Sequence, residues 1–559
     1  MPPGAQAGLP GRNPADAAEP SRLVALRGSS CDFVDHSFFR LFQSGRLTGR
    51  LRYRGDPDSM PRKRVRRLIP DVLTRVFEGH VLAVLLAGLA AGFLPARIGA
   101  EESAEAPVWP RFRGPAGMGV SDDRNLPVRF GPDENVVWKT GLLPGESSPV
   151  IAGDRLFLTG ASEDSLVTYG LDRDTGRILW QRSLARERDQ RYHKINSAAS
   201  PTPVTDGEVL VVFFGDFGLV AYELDGRERW RLPVGALNNV NGHGASPILA
   251  DGKVVMVCDQ DSGSYMIAVD KDSGQVLWRT ERPEVTRGYS TPAVFRRGDE
   301  PAELIVPGSY QLIAYSLDQG KKLWWLRGMA WQLKSVPLID GDRIYLNAWE
   351  SGGNSAVRVD LPSHAQVLAE RDIDGDGRLS LEEIEGFKPA KNWRNVDLDK
   401  DRFLSRLDWD FYRARLEAQN NMMAIRHGGR GDLTGSNILW RYRKSLPNVS
   451  SPLLYQSVLY LVRDGGIVTT LDPESGEVLK QARLNGATDR FYSSPVGVDD
   501  KVYLFGQNGK APVLKAGGQW EVLALNDLAD ECYATPAIAD SRLYVRTRGT
   551  LYCFARLAR

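Results

Sequence analysis

The amino-acid sequence predicts an all-β fold, an eight-bladed β-propeller with a small α-helical insert. Three observations support this prediction. A short proline motif recurs eight times before β-branched runs, the 56 glycines and 33 prolines are typical of a chain with many turns, and one interval between motif copies is long enough to hold an inserted module. Of the 559 residues, 42% are hydrophobic, so the chain is able to bury a large core.

Each copy of the motif consists of a small residue, a second small or polar residue and a proline, and it begins a predicted strand. Successive prolines are about 45 residues apart, which is the period of one propeller blade. The interval from Pro337 to Pro452 is longer by about 70 residues. The eight copies are Ser147-Ser148-Pro149, Ala199-Ser200-Pro201, Ala245-Ser246-Pro247, Ser290-Thr291-Pro292, Ser335-Val336-Pro337, Ser450-Ser451-Pro452, Ser493-Ser494-Pro495 and Ala534-Thr535-Pro536.

A second pattern closes several of the repeats. An Asp and a Thr/Ser-Gly turn precede a tryptophan that stands four residues after the glycine, as in Asp172, Gly176 and Trp180. The glycine permits a left-handed turn, and the indole offers a flat apolar surface. We therefore expect these tryptophans to pack neighbouring blades together, except where Lys480 takes the tryptophan position. The further pairs are Gly226 with Trp230, Gly274 with Trp278, and Gly320 with Trp324.

The repeated glycine–tryptophan pattern resembles the tryptophan-docking repeat of the PQQ-like (quinoprotein-type) propeller family. The resemblance covers residues 107–360, a first part of the propeller, and 432–559, a second part. The opening segment 109–115 is similar to that of exported bacterial proteins of this group. The last repeat has room for only three strands, and segment 135–140 has a strand pattern, so we expect this segment to complete the last blade. A ring with fewer blades is the alternative.

Residues 361–431 lack the strand pattern and form a charged, helical insert that resembles a pair of EF-hands. In the first loop, 372–383, oxygen ligands at the usual spacing predict a Ca²⁺ site; an acidic surface turn is the alternative. The second loop, 397–408, has Arg402 where a glycine is usual and an aspartate at its last ligand position, so a weaker site or a bracing loop is expected. The predicted ligands are Asp372, Asp374, Asp376, Arg378, Ser380 and Glu383, then Asp397, Asp399, Asp401, Phe403 and Asp408.

The N-terminal region has the order of a secretory signal peptide. A basic run at 62–67 precedes an apolar stretch of 14 residues at 81–94, and small residues follow at Gly99 and Ala100. We interpret 60–100 as the signal peptide, translation as starting at Met60, and 1–59 as a non-native upstream extension. The mature chain is then periplasmic or secreted and has no transmembrane span. A cytoplasmic tail ahead of an uncleaved anchor is the alternative.

Composition and cysteine usage restrict the function. The 71 basic and 70 acidic residues nearly balance, so nucleic acid is not an expected partner. The resemblance implies a PQQ-dependent enzyme only if a vicinal cysteine pair is present, and this sequence has none, so PQQ is not expected. Propeller-type assembly lipoproteins of the outer membrane are a second comparison, although no cysteine lies near the predicted cleavage site that would carry their lipid anchor.

The leading interpretation is a monomeric, extracytoplasmic scaffold that binds a protein or a small molecule on one propeller face, with Ca²⁺ in the insert. The alternative is a redox enzyme with PQQ or another ligand at the channel mouth, but no catalytic residue is assigned. Polar residues that precede the motif either converge on a common site at one face or simply occupy turns, and the second interpretation is slightly favoured. They are His193, Lys194, Asn196, Asn238, Asn239, Asn241, His243, Arg287, Tyr289, Lys334 and Tyr492.

Overall fold

The computed structural model describes residues 109–188, 190–351 and 361–557. The predicted upstream extension and signal peptide lie outside these residues. Within them, eight sheets of at least four strands follow one another along the chain, and a short two-stranded ladder lies in the insert. The chain is an eight-bladed β-propeller of the PQQ-like type, as the sequence predicts.

Seven blades are formed by four strands in consecutive antiparallel order, and the eighth takes its outermost strand from the N-terminal side. The strands of blades 1 to 4 are Val150–Ala152, Arg155–Ala161, Ser165–Asp172 and Ile178–Ala185; Val204–Thr205, Val209–Phe214, Gly218–Glu223 and Glu228–Pro233; Ile248–Ala250, Lys253–Cys258, Tyr265–Asp270 and Val276–Glu281; and Ala293–Phe295, Glu303–Gly308, Gln311–Ser316 and Lys322–Arg327, to which Gly431–Asp432 adds in parallel.

Blades 5 to 8 continue the same order. Their strands are Leu338–Asp340, Arg343–Ala348, Asn421–Arg426 and Ile438–Tyr442; Leu453–Tyr455, Val458–Arg463, Ile467–Leu471 and Val478–Arg483; Val496–Val498, Lys501–Tyr503, Lys510–Lys515 and Glu521–Asp527; and Ala537–Ala539, Arg542–Arg546 and Thr550–Ala555 with Val136–Gly141. Strand Val136–Gly141 runs antiparallel to Thr550–Ala555, with Gly141 opposite Thr550. The predicted closure of the last blade is therefore confirmed, and Thr550–Ala555 is paired on both of its edges.

A belt of hydrogen bonds joins the blades at the proline motif. The residue before each motif proline donates its backbone N–H to a hydroxyl oxygen of the next blade, at 2.9 to 3.1 Å, in seven of the eight interfaces. The interface without such a bond leads from Thr291 to Val336, which has no hydroxyl. The belt residues are Ser148, Thr202, Ser246, Thr291, Val336, Ser451, Ser494 and Thr535.

The belt corrects one copy of the predicted motif. In blade 2 the equivalent dipeptide is Thr202-Pro203, two residues after the predicted Ser200-Pro201. The segment contains two Ser/Thr-Pro pairs in succession, so the local pattern alone does not separate them. The hydrogen bonds of Thr202 to Ser148 of blade 1 and Ser246 of blade 3 identify it as the belt residue.

Five tryptophans join neighbouring blades: Trp180, Trp230 and Trp278 as predicted, and also Trp138 and Trp440, which the prediction did not include. The indole N–H donates to a backbone carbonyl of the next blade at 2.8 to 3.1 Å. Each ring also covers a turn glycine: a Cβ added to Gly226 would lie 2.5 Å from the ring of Trp180. The tryptophans and their acceptors are Trp138 with Arg173, Trp180 with Leu224, Trp230 with Lys271, Trp278 with Leu317, and Trp440 with Pro473.

Trp324 differs from this prediction. Its indole N–H donates to Glu303 Oε2 of its own blade at 2.9 Å. Blade 5 has a long connection, 427–437, in place of a tight glycine turn, so the indole has no equivalent surface to cover. From this connection His427 stacks on Phe295 and contacts the same Glu303 oxygen at 2.9 Å. A buried polar cluster therefore joins blades 4 and 5.

The insert leaves blade 5 after Arg343–Ala348 and returns at Asn421–Arg426. It contains helix α1 (His364–Arg371), a 3-10 helix at Ala390–Asn395 and helix α2 (Arg406–Glu417). Strands Leu379–Ser380 and Phe403–Leu404 pair antiparallel and connect the two acidic loops. The sequence-based range 361–431 thus includes Asn421–Arg426, a strand of blade 5. A further 3-10 turn, Pro115–Gly117, lies near the start of the described chain.

Candidate functional site

A cavity of about 420 Å³ occupies the propeller axis and is lined by residues of all eight blades. Seven belt hydroxyls form part of its wall. A second ring, two residues before the belt in each blade, also lines the cavity. The second ring consists of Glu146, Ser200, Gly244, Tyr289, Lys334, Val449, Tyr492 and Tyr533.

One end of the channel is crossed by residues 109–119, which we call the plug. Arg111 Nη2 donates to Pro292 O of blade 4 at 2.9 Å, and Arg113 Nη2 donates to Pro452 O of blade 6 at 2.7 Å, so the plug is held by at least two blades. The Phe112 side chain of the plug lines the cavity. Burial lowers the pKa of Arg113 to about 9. Its Nε and Nη2 atoms donate to backbone carbonyls, whereas Nη1 is buried and has no hydrogen-bond partner among the described residues. At the other end of the cavity, His193 and Ser351 are exposed.

Charged groups meet at one side of the cavity. Lys334 and Glu350 both line it, and Lys334 Nζ lies 6.0 Å from the ring centre of Trp349. Burial lowers the pKa of Lys334 to about 8, against the opposing effect of Glu350. Burial also raises the pKa of Glu350, although Arg415 favours its charged form. Glu350 is held by the Trp331 N–H at 3.0 Å and by Arg415 Nε at 3.3 Å.

Aromatic and amide side chains form the rest of the wall. Tyr492 and Tyr533 stack with ring centres 5.7 Å apart. Asn241 Nδ2 donates to the Tyr289 hydroxyl at 2.9 Å, and that hydroxyl donates to Asn239 Oδ1 at 3.1 Å. Burial raises the pKa of Tyr289 to about 12, so its hydroxyl stays protonated at neutral pH. The wall therefore combines flat apolar surfaces with fixed hydrogen-bonding groups.

The structure brings together six of the polar residues that precede the motif: His193, Asn196, Asn241, Tyr289, Lys334 and Tyr492 line the cavity. Lys194 and Arg287 line an adjoining pocket, and Asn238 and Asn239 line a third. His243 belongs to the core, where burial lowers its pKa to about 4. Sequence reasoning missed Glu146, Trp349, Glu350 and Tyr533. Glu146 and Tyr533 stand at the same motif offset as Lys334, and that periodicity was the available signal.

In the first acidic loop, carboxylate oxygens of Asp372, Asp374 and Asp376 lie within 4.8 Å of one another. Glu383 closes the loop by accepting the N–H groups of Ile373 and Ser380, each at 2.8 Å. These hydrogen bonds outweigh burial and lower the pKa of Glu383. Gly377 has φ of 77°, which permits the turn between Asp376 and Arg378. Ser380 donates its hydroxyl to Glu383.

The second acidic loop has the same backbone form. Carboxylate oxygens of Asp397, Asp399 and Asp401 lie within 4.8 Å of one another, and Asp408 accepts the N–H groups of Leu398 and Ser405. Arg402 has φ of 75°, close to that of Gly377, so the left-handed turn is kept without glycine. The Phe403 N–H donates to Asp401 Oδ1. Asp397 Oδ1 is buried and has no hydrogen-bond partner among the described residues. These oxygen donors fit a hard divalent cation.

The insert contacts the propeller beside the channel mouth. Asn238 of the loop before blade 3 accepts from Lys400 Nζ at 2.9 Å and donates to Leu398 O at 3.3 Å. Arg415 of α2 lies over Trp331, with its guanidinium carbon 4.2 Å from the ring centre, and contacts Glu350 of the cavity wall. The second loop and α2 are therefore connected to the site.

Three cysteines lie among the described residues, and none of them is part of the vicinal pair that the family resemblance implies for a quinone site. Cys258, Cys532 and Cys553 are buried and unpaired. Cys258 lies in a strand of blade 3, Cys553 in a strand of blade 8, and Cys532 in the loop that precedes blade 8. None of these three described cysteines lines the cavity. Burial raises the pKa of each thiol to about 12, so each is protonated at neutral pH.

In the parts of the chain that the structure describes, no helix combines the length and apolar character needed to cross a membrane.

The fold and the cavity define the class of protein: a PQQ-like eight-bladed β-propeller with a plugged axial channel. Residues 120–281 and 262–558 match the family described as outer membrane protein assembly factor BamB, and the chain belongs to that family. The outer membrane protein assembly factor BamB of Yersinia pestis is 21% identical over 399 residues, which are 67% of this chain and 86% of that protein.

Two solved structures share the fold at low sequence identity. A europium-containing methanol dehydrogenase is 10% identical, with a TM-score of 0.51, and the match covers 80% of this chain and 98% of that one. The quinohemoprotein alcohol dehydrogenase of Comamonas testosteroni is 12% identical, with a TM-score of 0.51 and 82% of each chain covered. The propeller is thus common to an assembly factor and to enzymes, so the cavity residues must distinguish the functions.

Proposed function

We propose that this chain is an extracytoplasmic interaction scaffold that binds a segment of a partner protein at the open mouth of its channel. The observation that carries the proposal is the axial cavity: the plug crosses one end, and all eight blades contribute polar and aromatic side chains to its wall. Concave sites with flat apolar walls and a few fixed polar groups are typical binding sites. The printed name of the Yersinia pestis relative, an assembly factor, supports a partner protein.

An extracytoplasmic location is part of the same proposal. It is supported by the signal-peptide pattern of 60–100 and by the outer membrane in the name of the family. A redox function has less support, because the three described cysteines are buried away from the cavity and the sequence has no vicinal pair.

We also propose that the insert binds Ca²⁺. In the first loop the ligands are Asp372, Asp374, Asp376, the Arg378 carbonyl, Ser380 through a water, and Glu383; in the second they are Asp397, Asp399, Asp401, the Phe403 carbonyl and Asp408. The clustered carboxylates and the unpartnered Asp397 Oδ1 support the proposal. A bound cation compensates the repulsion within each cluster. Calorimetric titration of Ca²⁺ into the metal-free full chain measures the binding.

Photo-crosslinking in the native host tests the scaffold function. The photoreactive residue p-benzoylphenylalanine replaces either Tyr533, in the cavity wall, or Leu523, which is exposed on the outermost strand of blade 7. We expect a discrete crosslinked protein from position 533 and none from position 523. Equal crosslinking at both positions, or none at position 533, would contradict a partner at the channel mouth.

A further inference from the structure

Lys334 is the cation of the second ring, and its charge is uncompensated by a direct contact. Among the described residues its ammonium makes no hydrogen bond or ion pair, and its Nζ lies over the face of Trp349, 6.0 Å from the ring centre. Glu350 lies nearby, but its two carboxylate oxygens accept hydrogen bonds from Arg415 and from the Trp331 N–H. A partly buried ammonium that faces a cavity without a partner favours an anionic ligand.

The belt supplies further donors in the same cavity. Each of its seven hydroxyl oxygens already accepts a backbone N–H from the preceding blade. The hydroxyl hydrogens of these seven residues have no acceptor within the described chain, so they remain available to a ligand. The belt position without a hydroxyl is Val336, two residues after Lys334, so the ammonium and the hydroxyls complement each other around the axis.

The other cavity residues restrict the charge of the ligand. Glu146 stands in the second ring four blades from Lys334, on the opposite side of an eight-bladed ring, and accepts from the hydroxyls of Ser197 and Ser200. With Glu350 it opposes a ligand of several negative charges. Trp349, Tyr492 and Tyr533 offer flat surfaces for an apolar or aromatic group. One carboxylate attached to such a group fits these walls.

We propose that the channel binds the carboxylate of a ligand, with Lys334 as its counter-ion and belt hydroxyls as hydrogen-bond donors. The carboxylate belongs either to the C-terminus of a polypeptide or to a small organic acid with an aromatic group. Binding of a polypeptide C-terminus would identify the partner segment of the proposed scaffold function, and it rests on that function. Binding of a small organic acid is independent of a partner protein.

Calorimetric titration of the full chain with three probes tests the proposal: the peptide acetyl-Ala-Ala-Phe with a free carboxylate, its carboxamide, and 3-phenylpropionate. We expect at least one acid to bind, and the carboxamide to bind at least about tenfold more weakly than the peptide acid, because a charged hydrogen bond is lost. Binding of the peptide acid alone assigns the site to chain ends. Equal binding of 3-phenylpropionate assigns it to small acids.

Substitutions at Lys334 distinguish the counter-ion from the shape of the cavity. Lys334→Met should weaken binding of the acid by about tenfold or more, and Lys334→Arg should keep most of the affinity for the acid. Lys515→Met, at an exposed position on blade 7, should have no effect. Melting midpoints of the variants establish that each is folded. Wild-type affinity for Lys334→Met would overturn the proposal, as would equal binding of the acid and the carboxamide or no binding of either acid.

The pH dependence of the wild-type chain provides a test that needs no variant. Because burial lowers the pKa of Lys334 to about 8, the ammonium is charged near pH 6.5 and mostly neutral near pH 9.5. The affinity for the acid should therefore fall between about pH 6.5 and about pH 9.5 in the wild type, and should fall much less in Lys334→Arg. A fall of the same size in the wild type and in Lys334→Arg would assign the pH dependence to another group and contradict the role of Lys334. The other titratable groups that line the cavity are Glu146, His193, Tyr289, Glu350, Tyr492 and Tyr533.

The crosslinking experiment separates the two proposals. If the crosslink at position 533 persists in a chain carrying Lys334→Met and neither acid binds the wild-type chain, the scaffold function is supported and the carboxylate site is contradicted. If position 533 gives no crosslink in the chain with Lys334, while 3-phenylpropionate binds and Lys334→Met weakens that binding, the carboxylate site is supported and the scaffold function is contradicted.

Discussion

Individual side chains at the blade interfaces form the same two contacts again and again. A backbone N–H reaches a hydroxyl of the next blade near the axis, and an indole covers a glycine of the next blade near the outside. Each contact needs one residue type on each blade. The residues that make these contacts therefore recur in the sequence at the same place in each repeat. Lys480 is an exception that the sequence also shows: it stands at the tryptophan position, and its Nζ donates to Trp520 O.

Gly226 is the residue at which this packing is tested most directly. In Gly226→Ala the new methyl carbon would lie 2.5 Å from the ring of Trp180, at a backbone φ of 85°. We expect the free energy of unfolding to fall by about 2 to 4 kcal/mol, from left-handed strain and overpacking together. Gly153→Ala is the matched control, because Gly153 has φ of 54° and open space around its Cβ.

Urea denaturation of the three chains measures the difference. Gly153→Ala should lose about 1 kcal/mol from the strain alone. Equal losses in the two variants would mean that the contact with Trp180 contributes nothing to stability beyond the backbone conformation of the glycine.

The two acidic loops of the insert differ in ways that rank their expected affinities for Ca²⁺. The first has Gly377 at the turn and the longer Glu383 as its last ligand, whereas the second has Arg402 and Asp408 at these places. Burial raises the pKa values of both Asp397 and Asp408, so the second loop needs more energy to hold its carboxylates charged. The first loop should therefore bind the ion first.

Glu383→Gln should weaken Ca²⁺ binding more than Asp408→Asn, by about tenfold or more, because it removes charge from the ligand that closes the stronger loop. The wild-type dissociation constant expected for an exported module is on the order of 10⁻⁴ to 10⁻³ M. Glu382→Gln is the matched control, since Glu382 is exposed and its substitution removes the same charge. Calorimetric titration measures all four chains, and a larger loss from Asp408→Asn or from Glu382→Gln would contradict the ranking.

At the level of elements, the sequence predicts what is encoded locally and repeated. The motif and turn patterns predict the eight blades, and the apolar and acidic spacing of 372–383 predicts the form of the first loop. The path of the plug is not predictable in this way, because Arg113 and its acceptor Pro452 are 339 residues apart. Strand Asn421–Arg426 was included in the insert for the same reason: only its pairing with Arg343–Ala348 identifies it as part of blade 5.

The candidate site was only partly predictable, because it is a property of the ring. Lys334, Tyr289 and Tyr492 were visible as polar residues before the motif, but the sequence alone did not favour their convergence. Glu350 contributes from a loop outside the repeat, and Arg415 reaches it from the insert. Such contacts between distant segments have no local sequence pattern.

Closure of the ring is the property that the whole molecule depends on. Every blade packs against two neighbours, and blade 8 contacts blade 1 through the Thr535 N–H, which donates to Ser148 Oγ at 3.0 Å, and through Trp138, which covers Gly176. Strand Val136–Gly141 contributes both the outer edge of blade 8 and that tryptophan. Its removal therefore exposes a sheet edge and loosens an interface at once.

Two truncations distinguish the contribution of this strand to stability from that of the plug. A chain that begins at Asp122 lacks the plug but keeps Val136–Gly141, and a chain that begins at Leu142 lacks both. We expect the first to remain monomeric with a lower melting midpoint than a chain that begins at Glu101, because the contacts of Arg111 and Arg113 are lost. The second should aggregate, since Thr550–Ala555 becomes an unpaired edge. Light scattering and calorimetry measure both, and a monomeric Leu142 chain that melts with the Asp122 chain would show that the strand is not needed to close the ring.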